Sequence, residues 1–139
     1  MVAMCITRCY SFKMRAFKNK WFQKWVKKEG LSEEILHDVA CEVVEGRVEA
    51  DLGGGLFKKR VAKPGRGKSG GYRFIIGFRK GNTDRIIFMF AFAKNERTNI
   101  TKLEEEVLCS VAESFFSASN VQIECMIRIN ELFEVKRNE

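Results

Sequence analysis

The residues with the chemistry to act are concentrated in two places. Lys58, Lys59, Arg60, Lys63, Arg66, Lys68, Tyr72, Arg73 and Arg79 fall within a short central stretch, and Lys94, Asn95 and Arg97 follow it. Residues 56–85 carry ten basic side chains and one acidic one, a net +9, although the whole 139-residue chain is only +7. Residues 1–30 are also basic (net +7), while residues 31–55 are acidic (net −6) and residues 86–139 slightly so (net −3). A charge run is ordinarily just a solvated face. Nine net charges over thirty residues of one sheet would repel one another unless an anion were expected, so a polyanion is the favoured partner. Lysine and arginine contacts to phosphate supply affinity and salt dependence without reading sequence. Tyr72 and the neighbouring phenylalanines add ring faces on which unpaired bases can stack, which suits RNA better than duplex DNA.

Other chemistries are poorly served. His37 is the only histidine, so a hydrolytic triad must run through it and a multi-histidine metal site is excluded. It lies beside Glu33, Glu34 and Asp38 and reads as a surface histidine without a role. Cys5, Cys9, Cys41, Cys109 and Cys125 contain no C-x-x-C pair, which speaks against zinc and for a reduced, cytoplasmic protein without metal or cofactor. Gly67-Lys68-Ser69 resembles the end of a phosphate-binding loop. That motif needs glycine where Ala62 stands, and a helix where a strand is expected to follow. The longest uncharged run, Ser114–Ile123, is half the length of a membrane helix.

The elements that must position the cationic cluster are legible from periodicity. Phe17, Trp21, Phe22, Trp25 and Val26 recur at helical spacing with lysines between them, which predicts an amphipathic helix ended by Gly30, its aromatic face read as core in preference to a base-stacking platform. Ser32, followed by Glu33 and Glu34, predicts the start of a second helix with Ile35, Val39, Val43 and Val44 on its apolar face. Asp51–Gly55 reads as a loop. Residues 56–62, 72–80 and 85–94 read as strands, with a basic glycine-rich loop at 63–71 and a turn at 81–84. If these strands form a meander, the basic residues converge on one face and edge. Thr101 with Glu104 has capping-box spacing and opens a further helix. Val121, Ile123, Cys125, Ile127 and Ile129 alternate as in a strand, while Ser119 is placed to cap a helix with Ile123 and Ile127 one turn apart; a short helix and then a strand over Leu132–Lys136 are the preferred reading.

The residues from Phe17 to Ile100 resemble the RelE-type toxins of bacterial toxin–antitoxin pairs, in particular the HigB-like branch. The resemblance rests on Trp21-Phe22-x-x-Trp25, Ala50-Asp51-Leu52-Gly53-Gly54-Gly55-Leu56-x-Lys58-Lys59-Arg60, Lys68-Ser69-Gly70-Gly71-Tyr72-Arg73 and Phe92-Ala93-Lys94-Asn95-Glu96-Arg97. It extends over residues 15–136 as one domain and leaves Met1–Met14 as an extension expected to lack fixed structure. The resemblance implies an α+β fold in which an N-terminal helical hairpin packs on a small twisted antiparallel sheet, with a C-terminal helix.

It also implies an endoribonuclease that cuts messenger RNA in the ribosomal A site and is silenced by a cognate antitoxin. The antitoxin is expected to be a helix-turn-helix protein, with operator DNA contacted only through it. Carried over to this sequence, Arg73 matches an arginine that stabilises the phosphate. Lys58 and Arg60 lie on the basic strand where general base and charge stabiliser are expected, and Lys94 and Arg97 match basic residues after the last strand. Lys59, Lys63, Arg66, Lys68, Tyr72, Arg79 and Asn95 would hold the RNA. Asn95 replaces a catalytic arginine of RelE, and no tyrosine follows Arg97 to match RelE's stacking tyrosine. With no usable histidine, a lysine is the candidate base, and crowding by like charge is the means of lowering its ordinary pKa of about 10.4. The alternatives are a ParE-like gyrase poison without catalysis and a plain RNA-binding regulatory module.

Overall fold

The computed structural model describes residues 14–64, 71–79 and 85–136. Among them are six strands and four helices: β1 (Arg15–Asn19), α1 (Lys20–Glu29), α2 (Glu33–Val44), β2 (Ala50–Gly53), β3 (Leu56–Val61), β4 (Tyr72–Phe78), β5 (Arg85–Ala93), α3 (Lys102–Ser117), α4 (Asn120–Arg128) and β6 (Leu132–Glu134). The strands form one sheet in the order β2-β3-β4-β5-β1-β6. All neighbours are antiparallel except β1 and β5, which run parallel with Phe17 opposite Ile87. The fold is therefore α+β, and the meander of β3, β4 and β5 is its centre.

The helices start where short polar side chains can accept the first backbone N–H groups. Asn19 caps α1, Ser32 caps α2, and Thr101 and Ser119 cap α3 and α4 in reciprocal capping boxes with Glu104 and Gln122. Gly30 adopts the left-handed conformation (φ 75°) and returns its N–H to the Val26 carbonyl, which ends α1.

Each face of the sheet has its own core. Phe22, Val26, Leu36, Val39 and Val43 of α1 and α2 cover Tyr72, Phe74, Ile76 and Phe88. Ala112, Phe115, Phe116 and Ile123 of α3 and α4 cover Phe17, Leu56, Ile75 and Ile87. Every residue of β4 is buried for this reason, as a central strand covered on both faces must be. Arg85, also buried, satisfies the end of α3 by donating to the Phe115 and Ala118 carbonyls and to Asn120 Oδ1.

Two expectations need correction. The first helix begins at Lys20, not Phe17: Phe17 and Lys18 belong to β1, where Lys18 is 4% exposed and pairs with Glu33 at 2.6 Å. Pairing with β5, some seventy residues away, overrides the local helical spacing. The loop expected over Asp51–Gly55 is partly strand, because β2 pairs with β3 up to a bulge between Asp51 and Gly53. The predicted turn at 81–84, most of the glycine-rich loop and the N-terminal extension up to residue 13 lie outside the described residues. Met14 is buried in the α1/α2 core.

Candidate functional site

Side chains alternate along a strand, so the basic run of β3 divides between the two faces. Lys58 and Arg60 share a face with Leu56, the α3/α4 side, whereas Lys59 shares the opposite face with Phe57 and Val61. The register then places Arg60 directly opposite Arg73 of β4, and Arg73 directly opposite Phe92 of β5. Three adjacent strands present these residues in a row. The packing of α3 covers the middle of this face, and the row lies toward the end where β3 and β5 finish and β4 begins.

Arg60 is exposed and Lys58 half-buried, with its Nζ 3.4 Å from Asn99 Oδ1. Arg73 is 6% exposed, and its Nε pairs with Glu49 Oε1 at 2.7 Å. The carboxylate offsets the repulsion that two like charges directly opposite would otherwise create. The turn after β5 is held against the start of β4 by a bond from Lys94 N–H to the Gly71 carbonyl, 3.0 Å. Gly71 has φ 62°, and a Cβ there would lie 2.8 Å from the Val61 carbonyl oxygen, so only glycine lets these segments meet. Lys94 is half-buried and Asn95 exposed in that turn.

The next wall of the site is aromatic. A β-bulge sits where the β4–β5 register shifts between Ile75 and Ile76, and both Met89 and Phe90 contribute to the α3/α4 core there. Phe90 and Phe92 therefore lie side by side, with ring centroids 6.4 Å apart. The Arg97 guanidinium covers both, 5.7 and 5.4 Å from their centroids. It is bound to Glu104 through Nη2 at 2.5 Å and Nη1 at 3.3 Å, and to the Asn99 carbonyl through Nε at 3.1 Å. Hydrogen bonding from Arg97, then from the Thr101 backbone, holds the Glu104 carboxyl down at about 2.

The structure thus gathers Lys58, Arg60, Arg73, Lys94, Asn95 and Arg97 at one end of the sheet. The other expected contacts are placed elsewhere. Lys59 points under α2, to Glu42 at 2.8 Å and the Arg47 carbonyl at 2.8 Å. Tyr72 is 2% exposed, donates to Glu29 Oε1 at 2.8 Å and packs edge-on against Trp25, so its ring is core rather than an open stacking surface. Lys63 lies over that ring at 5.7 Å. Arg79 stands at the opposite end of β4, paired with Glu113 at 2.7 Å above Phe116. Arg66 and Lys68 fall outside the described residues.

Glu49, Asn99 and Phe90 were not singled out by sequence reasoning, and Trp21 was read there as core. The β5 bulge left no local signal, because every residue from Ile86 to Ala93 is apolar. His37 sits on α2, with Nδ1 4.0 Å from Cys41 Sγ. The reading of all cysteines as reduced fails at Cys41, which is disulfide-bonded. Sequence spacing tests for a metal pair, whereas a disulfide depends only on approach in space. Cys109 and Cys125 are the free cysteines among the described residues.

Comparison with protein families places the chain: the RelE toxin of RelE / RelB toxin–antitoxin systems matches residues 14–135, and the chain belongs to that family. It is accordingly the toxin of a toxin–antitoxin pair, and a cognate antitoxin is its implied partner. No curated protein matches the chain. No helix among the described residues is long and apolar enough to cross a membrane.

Proposed function

We propose that this toxin is an endoribonuclease that cuts messenger RNA engaged by the ribosome and so stops translation. One observation carries the reading: Lys58, Arg60 and Arg73 share one face of adjacent strands at the open end of the sheet, beside a half-buried Lys94. The scissile phosphate would lie over Arg73 and Arg60, whose guanidinium groups suit phosphate oxygens and stay protonated throughout.

Proton transfer then falls to lysine. A neutral lysine, for which Lys58 is the candidate, accepts the ribose 2′-hydroxyl proton. The 2′-oxygen attacks phosphorus, and the 5′-oxygen leaves with a proton from a protonated lysine, for which Lys94 is the candidate. The products are a 2′,3′-cyclic phosphate and a 5′-hydroxyl end. Charge growing on the equatorial oxygens is stabilised by fixed cations, the main electrostatic device available to such a site. Arg97, saturated by Glu104 and Asn99, serves as a wall over Phe90 and Phe92 rather than as a proton carrier.

The messenger-RNA target puts the action in the cytoplasm. Dependence on the ribosome suits a site that holds phosphate firmly but carries few groups able to exchange protons. Of the features this reading takes from the HigB-like branch, the most important is that cleavage tolerates Asn95 in place of arginine. Expression of the toxin alone should arrest growth and produce new 5′ ends in translated messages. Arg73→Ala should abolish both while the protein stays folded.

A further inference from the structure

The aromatic stripe of α1 does not all enter the core. Phe22 is fully buried and packs on Phe74 and Phe88, and Trp25 packs on Tyr72 and Phe74. Trp21 is instead 42% exposed. Its ring lies 4.6 Å from Phe90, centroid to centroid, and is nearly parallel to Trp25 at 6.2 Å. Its position is fixed by Asn19, which caps α1 by accepting from Phe22 N–H at 2.8 Å and anchors it by donating to the Met89 carbonyl at 3.1 Å. Trp21 therefore continues the aromatic row Phe90–Phe92 away from Arg73, at the same end of the sheet. Exposed Lys20, paired with Glu131 at 3.3 Å, and exposed Lys24 flank it on α1.

We propose that Trp21 is a stacking platform for an unpaired base further along the RNA strand whose phosphate Arg73 and Arg60 hold. The proposal rests on the endoribonuclease reading. A solvent-facing indole braced from beneath by a second ring loses little freedom when a base stacks on it, and stacking accepts any base. The surrounding charge decides the occupant. The row leads into a cationic site, and the nearest flanking groups on α1 are lysines, so a single-stranded polyanion with aromatic bases fits both features. Trp21 also borders a groove of about 690 Å³ whose other walls include Val111, Phe115, Met126 and Leu132. A protein segment in that groove is the competing occupant.

The test is titration of the full chain with a single-stranded 2′-O-methyl oligoribonucleotide, which cannot be cleaved, read by tryptophan fluorescence across a range of salt. Binding should quench the wild type. Trp21→Phe should bind within about threefold of it, with the remaining Trp25 emission nearly unchanged. Trp21→Ala should bind about tenfold more weakly, the loss of one base stack, with the slope of affinity against salt unaltered. Arg60→Ala should reduce that slope by about one. If Trp21→Ala binds as tightly as wild type, or if quenching persists in Trp21→Phe, the platform assignment is wrong and the indole belongs to the apolar groove. If every variant and the wild type fail to bind at low salt, it is the nuclease reading that falls.

Discussion

Arg60 and Arg73 stand directly opposite one another on β3 and β4, yet the two are in different states: Arg60 is exposed, while Arg73 is buried and paired with Glu49 at 2.7 Å. One guanidinium is held in place and the other is left at the surface beside it. Under the proposed function, a phosphate at this end of the sheet would meet a fixed donor and an adjustable one.

Glu49 should therefore orient Arg73 as well as neutralise it. Glu49→Gln keeps a hydrogen-bond acceptor and is expected to retain most cleavage. Glu49→Ala leaves a buried guanidinium short of its partner, at a cost of about 1–3 kcal/mol, and should lower the cleavage rate per folded molecule. Urea unfolding with a single-turnover cleavage assay separates the two effects.

Lys59 lies on the face of β3 opposite Arg60 and is held by the scaffold. Its side chain is 12% exposed, and its ammonium group is bound to Glu42 and the Arg47 carbonyl beneath α2. Lys59→Met should cost about 1–3 kcal/mol of stability and leave cleavage by the folded protein unchanged. Equal loss of activity in Lys59→Met and Arg60→Ala would show that the two faces of β3 are not functionally distinct.

Gly71 joins the start of β4 to the turn carrying Lys94. Gly71→Ala must adopt φ 62° with its Cβ against the Val61 carbonyl. A left-handed conformation alone costs roughly 1–2 kcal/mol for a residue with a Cβ. The variant should melt several degrees lower, and its activity should fall further than its folded fraction because Lys94 moves. Retention of wild-type melting would contradict the conformation of this segment.

The Arg97–Glu104 pair makes the N-terminus of α3 acid-sensitive. The Glu104 carboxyl lies at about 2 in the folded chain against an ordinary 4.5. Its folded value is depressed, so its contribution to stability is complete above about 4.5 and is lost as pH falls toward 2. Glu104→Gln should lower the melting temperature at neutral pH and remove this group's share of its decline across that interval. Carboxyl titration followed by NMR gives the value directly, and an unshifted Glu104 would refute the pairing.

Much of the frame was legible before the structure. Ser32, Thr101 and Ser119 announce helix starts through side chains that bond their own backbone, and the apolar runs of β4 and β5 announce buried strands. The strand β1 was not legible, because Phe17 and Lys18 continue the helical spacing of α1 while the pairing that makes them strand lies in distant β5. The site was half legible. The cationic residues stood out as a cluster, but period-two alternation sends Lys58, Arg60 and Arg73 one way and Lys59 and Tyr72 the other. Since both faces of β4 are covered, no hydrophobic pattern marks which side stays open at the end. Trp21 was hidden by the same logic: spacing counts it with Phe22 and Trp25 as core, and only the turn from β1 into α1 leaves it outside.

The central claim is that the cationic row cuts translated messenger RNA. Primer extension on a translated and an untranslatable version of one reporter transcript, after induction of the toxin without antitoxin, tests it most directly. New 5′ ends should appear in the translated message, be scarce in the untranslatable one, and vanish with a folded Arg73→Ala protein. Growth arrest with both transcripts intact, or undiminished cleavage by Arg73→Ala, would contradict the account.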